Sequence, residues 1–513
     1  MCARTLCSFS WFVIVLAGLP GVAMEDGNKT VDIGTSRQLF LSQALIESSS
    51  GVSFTMNPPV RTGPIVLEAD APWEKAAQGH IGPYCSVLKD EGKVRLWYDV
   101  RFGDTVQVAY AESSDGLHFT KPVLGLFPLN GTTDNNIVMP TRIGGGSVWL
   151  DAHASRDQRY RSQSKGYNPP TAGQLYWFNS SDGIHWTLWQ TQAIGACDTQ
   201  SIAFWDRRIG RYVLYTRLNP NAGTQARCRT VRRLESDDLQ HWENELTVMQ
   251  ADAVDDTTYV SPTPQPPVDY YGAAVFRYPD EDGLYIMLSQ TFWHFTRRTQ
   301  EELGILDSEA DPLKAERLAP ATLDVRLAVS RDGLTFDRLG ARKPFMTLGP
   351  EGAFDSRFVW ALPNPIRMGN ELWVYYAGRN TDHDGILDPK AAHAMSGVGL
   401  AVMRLDGFVS ADADYAGGEI LTRPLTFEGH RLEINVDTGA GGSLRVELLD
   451  ASGTPIPGYA RADAQPVWGN SVCMPVHWAA QKDLHLLSGK PVRLRFILRD
   501  CRLYAFQFRG QEE

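Results

Sequence analysis

Ser180-Ser181-Asp182-Gly183-Ile184-His185-Trp186 is one of four copies of a single pattern. The others are Ser113-Ser114-Asp115-Gly116-Leu117-His118-Phe119, Ser236-Asp237-Asp238-Leu239-Gln240-His241-Trp242 and Ser330-Arg331-Asp332-Gly333-Leu334-Thr335-Phe336. Each follows a short β-type run, such as Gln107-Val108-Ala109-Tyr110 or Val325-Arg326-Leu327-Ala328. Ser and Asp bond to nearby backbone amides while Gly accepts a positive φ, so each copy reads as a tight turn between two strands. The aromatic that follows is expected to pin the hairpin to the core. Arg404-Leu405-Asp406-Gly407-Phe408 reads as a fifth, degenerate copy.

The copies are irregularly spaced, which suits sheets of one design carrying loops of different lengths. Further strand-like runs lie between them, among them Val94-Arg95-Leu96-Trp97-Tyr98, Tyr212-Val213-Leu214-Tyr215, Leu284-Tyr285-Ile286-Met287-Leu288 and Leu372-Trp373-Val374-Tyr375-Tyr376. The expected fold is all-β: a five-bladed β-propeller over residues 67–411, with one helix around Thr299 to Leu318. After Ala411 the grammar changes to alternating strands such as Arg431 to Val436 and Arg502 to Phe508, read as a β-sandwich over 412–513. Residues 24–66 close or flank the propeller.

The chain of 513 residues has a formal charge of -11, which disfavours nucleic acid or an anionic membrane surface as the main partner. Arg4, the apolar run from Phe9 to Leu19 and the small residues Gly21-Val22-Ala23 form a signal peptide over 1–23, too short to span a bilayer. Secretion or export to the periplasm follows. With Cys2 and Cys7 removed, Cys85, Cys197, Cys228, Cys473 and Cys501 remain. Cys473 with Cys501, and Cys197 with Cys228, are the open pairings, against a default of buried free thiols.

The innermost strand of a blade begins at the funnel where ligands bind. A carboxylate stands before that strand in four of the five units: Glu74, Asp198, Asp269 and Asp355. Glycoside cleavage uses two carboxyl groups, one protonated and one ionised. These four are the candidate catalytic residues, with Glu235 and Glu351 in reserve. His80, Gln200, Arg217, Arg357 and Arg379 are candidates for binding hydroxyls or an acidic substituent, and Tyr270, Trp293 and Trp360 for stacking on sugar faces. The competing reading makes each Asp a turn cap or an inter-blade tie. No cofactor is expected: Asp382-His383-Asp384-Gly385 reads as a polar loop rather than a calcium site, and Gly144-Gly145-Gly146 precedes no helix and so is no phosphate loop. Asp206 reads as a solvated hairpin turn.

The Ser236-x-Asp238-Leu239-x-x-Trp242 turn resembles those of the five-bladed glycosidase families 32 and 43. A group of uncharacterised exported bacterial proteins labelled family-32-like is similar over almost the whole mature chain. The likeness is carried by Arg37-Gln38-Leu39-Phe40, Asp198 to Asp206, Ser330-Arg331-Asp332-Gly333, Phe354-Asp355-Ser356 and the ending Leu494 to Phe508. It implies a propeller followed by a sandwich. The Trp-x-Asn-Asp-Pro-x-Gly nucleophile motif of family 32 is missing, Arg-Asp-Pro is at best echoed by Arg156-Asp157-Gln158, and Cys228 lies between Arg227 and Arg229 rather than after Glu. No catalytic residue carries over. The expected function is therefore a secreted glycoside hydrolase-like protein using two funnel carboxylates, with a non-catalytic glycan-binding propeller as the alternative.

Overall fold

The computed structural model describes residues 30–140, 142–166, 174–195, 197–220, 228–256, 268–280, 283–293, 321–383, 385–479 and 483–510. The expected signal peptide and the helix expected around Thr299 fall outside them. The described chain is all-β, built from several sheets, and none of those sheets closes on itself. Its two α-helices, Pro72–Ala76 and Ala253–Asp256, are a turn or so long. Among the described residues no helix is long and apolar enough to cross a membrane.

Five antiparallel units follow one another along the chain. The first comprises Ser86–Asp90, Lys93–Phe102 and Thr105–Ser113, with His80–Ile81 added at one end. The second is Ile143–Leu150, Tyr160–Gly166, Gln174–Ser180 and Thr187–Ala193. The third is Ile202–Asp206, Arg211–Leu218, Thr230–Ser236 and Glu243–Met249. Val268–Tyr278, Leu284–Trp293 and Thr322–Ser330 make the fourth, with short strands at its edge. The fifth is Phe358–Ala361, Glu371–Arg379 and Ser396–Arg404, completed by Val60–Leu67 from the start of the chain. The second strands are buried on both faces, as Leu96 to Val100 show with every residue buried; those of units one, three, four and five are mostly apolar, whereas Tyr160–Gly166 of unit two buries polar side chains.

The repeated turns tie these units together. In the second, Asp182 Oδ1 accepts from the Ile184 and His185 amides, and Ser180 Oγ accepts from Gly183 N. Each turn then docks on the preceding unit. Trp97 Nε1 donates to the Gly183 carbonyl at 2.7 Å, Gln190 Nε2 to the Leu239 carbonyl at 2.7 Å, and the Tyr215 hydroxyl to the Gly333 carbonyl at 2.9 Å. The first unit's turn docks on the fifth, where the Tyr375 hydroxyl donates to the Gly116 carbonyl at 2.7 Å. Gly183 has a φ of +79°, and a Cβ there would lie 2.7 Å from the Trp97 ring. At the equivalent position Leu239 adopts a φ of +62° and buries its side chain instead.

The degenerate fifth copy differs. Asp406, not Gly407, carries the positive φ, and its buried carboxylate accepts from the Tyr278 hydroxyl of the fourth unit at 2.7 Å and pairs with Arg37 at 2.5 Å. It still docks on the unit before it. Asp206 corrects the solvated-turn reading more sharply: it is fully buried and takes Arg277 at 2.9 Å, with the Tyr285 hydroxyl as a second donor.

The chain ends supply two more sheets around one shared core, which includes Phe40, Leu432, Ile434, Phe496 and Phe506. One sheet contains Val31–Gly34, Ile46–Ser50 and Val492–Arg499; the other contains Ser53–Met56, Val409–Ala413, Arg431–Asp437 and Cys501–Arg509. All five cysteines of the described residues are free thiols; Cys85, Cys197 and Cys501 are buried, while Cys473 is exposed.

Candidate functional site

The second strands of four units end on or next to a cation. Arg101, Lys165, Arg217 and Arg379 close them in units one, two, three and five, and Phe292-Trp293 does so in unit four. Around Trp360 they converge with Tyr84 and Tyr271, whose rings lie 5.1 and 5.8 Å from the indole in edge contacts. Arg101 and Lys165 sit over Tyr84, and Arg217 and Arg229 over Tyr271, all within 4.7–5.3 Å of a ring centroid. An electron-rich ring face attracts a cation, so the two tyrosines hold this crowd of positive charge in place. Asp198 alone of the four predicted acids is open, with 64% of its side chain exposed. Lys165 Nζ is 2.6 Å from its Oδ1 and Arg217 Nη2 is 2.5 Å from its Oδ2. Burial pulls the Asp198 pKa upward, but Lys165 and Arg217 outweigh it and hold it at about 2.

The Gly144-Gly145-Gly146 run has a packing reason. A Cβ at Gly144 would lie 2.9 Å from the Asp99 carboxylate, and one at Gly146 would lie 2.2 Å from Ser164 Oγ. Only glycine lets this strand approach so closely. Asp99 is buried beneath the cations, accepts from Gly145 N at 3.2 Å and lies 3.5 Å from Arg101. Burial raises its pKa to about 6 in spite of Arg101 and Gly145. The signal was present in the sequence as an acid inside the apolar run Leu96 to Val100.

The other predicted acids are spent. Glu74 is fully buried; it takes the Tyr98 hydroxyl at 2.8 Å, Lys121 at 2.6 Å and its helix's own Ala71 amide at 2.7 Å. Asp355 is buried and receives Arg61 Nε at 2.7 Å and the Tyr376 hydroxyl at 2.9 Å, clamping the chain's early strand onto unit five. Neither shares a partner with Asp198. Asp269 lies closer: Arg229 grips it through backbone N at 2.8 Å and Nη1 at 2.5 Å while resting on Tyr271. The convergence of four funnel carboxylates is thus corrected to one open acid, one gripped acid and two structural ties.

The binding candidates divide likewise. Arg217 and Arg379 are in the cluster, and His80 is paired across from Arg101 at its rim. The His80 pKa is lowered, first by desolvation, then by Arg101 and Arg379. Gln200 and Trp360 form the buried floor: Trp360 Nε1 donates to Gln200 Oε1 at 3.1 Å, and Gln200 Nε2 donates to the Cys85 and Gly146 carbonyls, each at 2.8 Å. Tyr270 and Trp293 point away. Tyr270 lies under Arg338 with its hydroxyl 3.3 Å from Asp255, and Trp293 lies under Arg326, because neighbouring strand residues face opposite sides. Their neighbours Tyr271 and Phe292 face the cluster instead. Arg357 lies 3.6 Å from Asp388. Asp382 caps the Ile386 and Ala321 amides, and no group of three or more metal-ligating side chains occurs among the described residues.

No family model matches the chain. No curated protein matches it either. Among solved structures it is similar to an N-acetylgalactosamine deacetylase from F. plautii (16% identity, 70% of this chain and 97% of that one, TM-score 0.44). It is also similar to a β-1,2-mannobiose phosphorylase from Listeria innocua (13%, 69% and 98%, 0.44) and a glycosyl hydrolase from Bacteroides ovatus (14%, 72% and 94%, 0.37). Similarity at this level carries neither fold nor activity over to this chain.

Proposed function

We propose that the five units are the blades of a β-propeller, that the two terminal sheets form a β-sandwich, and that the cation-lined end is the active funnel of an exported enzyme cleaving glycosidic bonds of an extracellular oligo- or polysaccharide. The circular order of the turn contacts, each on the blade before and the first on the fifth, supports the propeller. The observation that carries the chemistry is Asp198, an open carboxylate kept ionised between Lys165 and Arg217 at the point where the blades meet. With a pKa of about 2 it acts as nucleophile or base rather than acid. Asp99, raised to about 6 by burial, keeps its proton to a higher pH than Asp198 does. Two acids driven apart in this way are the pattern glycoside cleavage uses. Cleavage of the leader after Ala23 would place the enzyme outside the cytoplasm, and N-terminal sequencing of the mature protein checks it.

A non-catalytic glycan-binding propeller is the second reading, favoured by the burial of Glu74, Asp269 and Asp355 in ion pairs or buried hydrogen bonds. Reducing-sugar release from plant, algal and host glycans separates the two. The enzyme reading expects turnover that falls by about 100-fold or more in Asp198→Asn with the fold intact. Binding without turnover, unchanged in that variant, establishes the second.

A further inference from the structure

We infer that the funnel receives an acidic glycan, whose anionic group docks on Arg379 beside Arg101 and His80. This rests on the funnel being the ligand site and names the substrate class it takes. The whole chain carries a charge of -11, yet five cations, Arg101, Lys165, Arg217, Arg229 and Arg379, crowd around Tyr84, Tyr271 and the neighbouring Phe358. Four of them have acidic partners: Arg101 has Asp99, Lys165 and Arg217 share Asp198, and Arg229 has Asp269.

Arg379 differs. Its guanidinium lies 4.2 Å from the centre of the Phe358 ring. Among the described residues it has neither an ion pair nor a side-chain hydrogen bond, and its Nε is buried without an acceptor. The residue as a whole is only half-buried, so the terminal amino groups are the part that reaches out. Its pKa is pushed down to about 10, by burial first and then by the Arg101 charge. Asp382, an acid near it, has both oxygens bonded to backbone amides. His80 is likewise disfavoured as a cation, by desolvation first and then by Arg101 and Arg379.

Like charges held together without a counter-charge cost stability, and a protein retains them where a ligand supplies the missing charge. A guanidinium resting over a ring, with its fork unfilled, matches the two oxygens of a carboxylate or sulfate, and a neutral hydroxyl offers no such counter-charge. A lone ammonium would match less well, because it has no planar fork. The anion has two sources: an acid group on the sugar, or free inorganic phosphate used alongside a neutral sugar. The inference commits to the first.

The test measures binding by titration calorimetry of the full chain with galacturonate and glucuronate oligosaccharides, their neutral counterparts and inorganic phosphate, at low and raised salt. Wild type is run beside Arg379→Gln and Arg379→Lys. Acidic oligosaccharides should bind about tenfold or more tighter than neutral ones, lose that margin as salt rises, and lose it in Arg379→Gln, with Arg379→Lys intermediate. Thermal midpoints of the unliganded variants should change little, because no native ion pair is removed and relief of the Arg101 repulsion offsets the lost Phe358 contact. Equal, salt-insensitive binding of neutral and acidic chains, or a preference that survives Arg379→Gln, overturns the inference. Arg379-dependent binding of phosphate alone also overturns it, moving the anion from the sugar to a free co-ligand. Neutral glycans cleaved in an Asp198-dependent way would leave the funnel reading standing while this one falls. Absence of any glycan binding would end both.

Discussion

Replacing Gly183 by alanine tests the contact that orders the five units. Gly183 holds a φ of +79°, and a Cβ there would sit 2.7 Å from the Trp97 ring and 3.3 Å from Tyr160, both fully buried. An L-residue pays about 1–2 kcal/mol for left-handed backbone. Displacing a packed aromatic ring adds about 1–3 kcal/mol, and the Trp97 hydrogen bond to the Gly183 carbonyl, broken as the ring moves, adds about 1 kcal/mol. The total is about 3–6 kcal/mol of lost stability. Gly210 provides the control: its φ is +64°, but a Cβ at that position would have nothing within 4 Å, so Gly210→Ala should cost only the backbone part. Urea unfolding followed by far-UV circular dichroism compares the two midpoints. Equal losses in both variants would refute the reasoning, because the docking of turn on preceding unit would then carry no energy.

Two further outcomes follow from buried carboxylates. Asp355→Ala leaves Arg61 and the Tyr376 hydroxyl without their acceptor and should lower stability by about 3–5 kcal/mol, read from urea midpoints. A loss well under 1 kcal/mol, on the order of a surface change, would return Asp355 to the list of functional acids. Asp99 binds a proton more tightly folded than unfolded, since its pKa rises from 3.8 to about 6. Stability therefore falls as pH rises between those values, and Asp99→Asn should gain up to about 3 kcal/mol near about pH 7 and nothing below about pH 4. A pH-independent effect of that substitution would show that its proton is not the linked one.

Much of the architecture was legible along the chain because its causes are local. Ser-x-Asp-Gly turns and apolar runs declare themselves within a few residues, and the structure bears out an all-β chain with the repeated turns closing hairpins. The degenerate copy at Asp406 is legible in the sequence, but its role as a buried tie between the fourth unit, Arg37 and Asn435 is not.

The site was legible only in outline. The sequence groups Asp198, Arg217 and Arg379 as candidates, but the recurrence that matters is cations closing the second strands rather than acids before the first. Strand periodicity marks alternation but not which phase faces inward, so sequence points to Tyr270 and Trp293 where Tyr271 and Phe292 stand. Sequence also cannot say which acids are already spoken for. Asp355 is claimed by Arg61, 294 residues earlier, and Glu74 by Lys121. Sequence by itself thus determined the strands, the turns and the kind of chemistry available, because those rest on neighbours in the chain. Which carboxylate stays open and which cation stays unpaired was decided only by tertiary structure, because charge is neutralised by proximity in space.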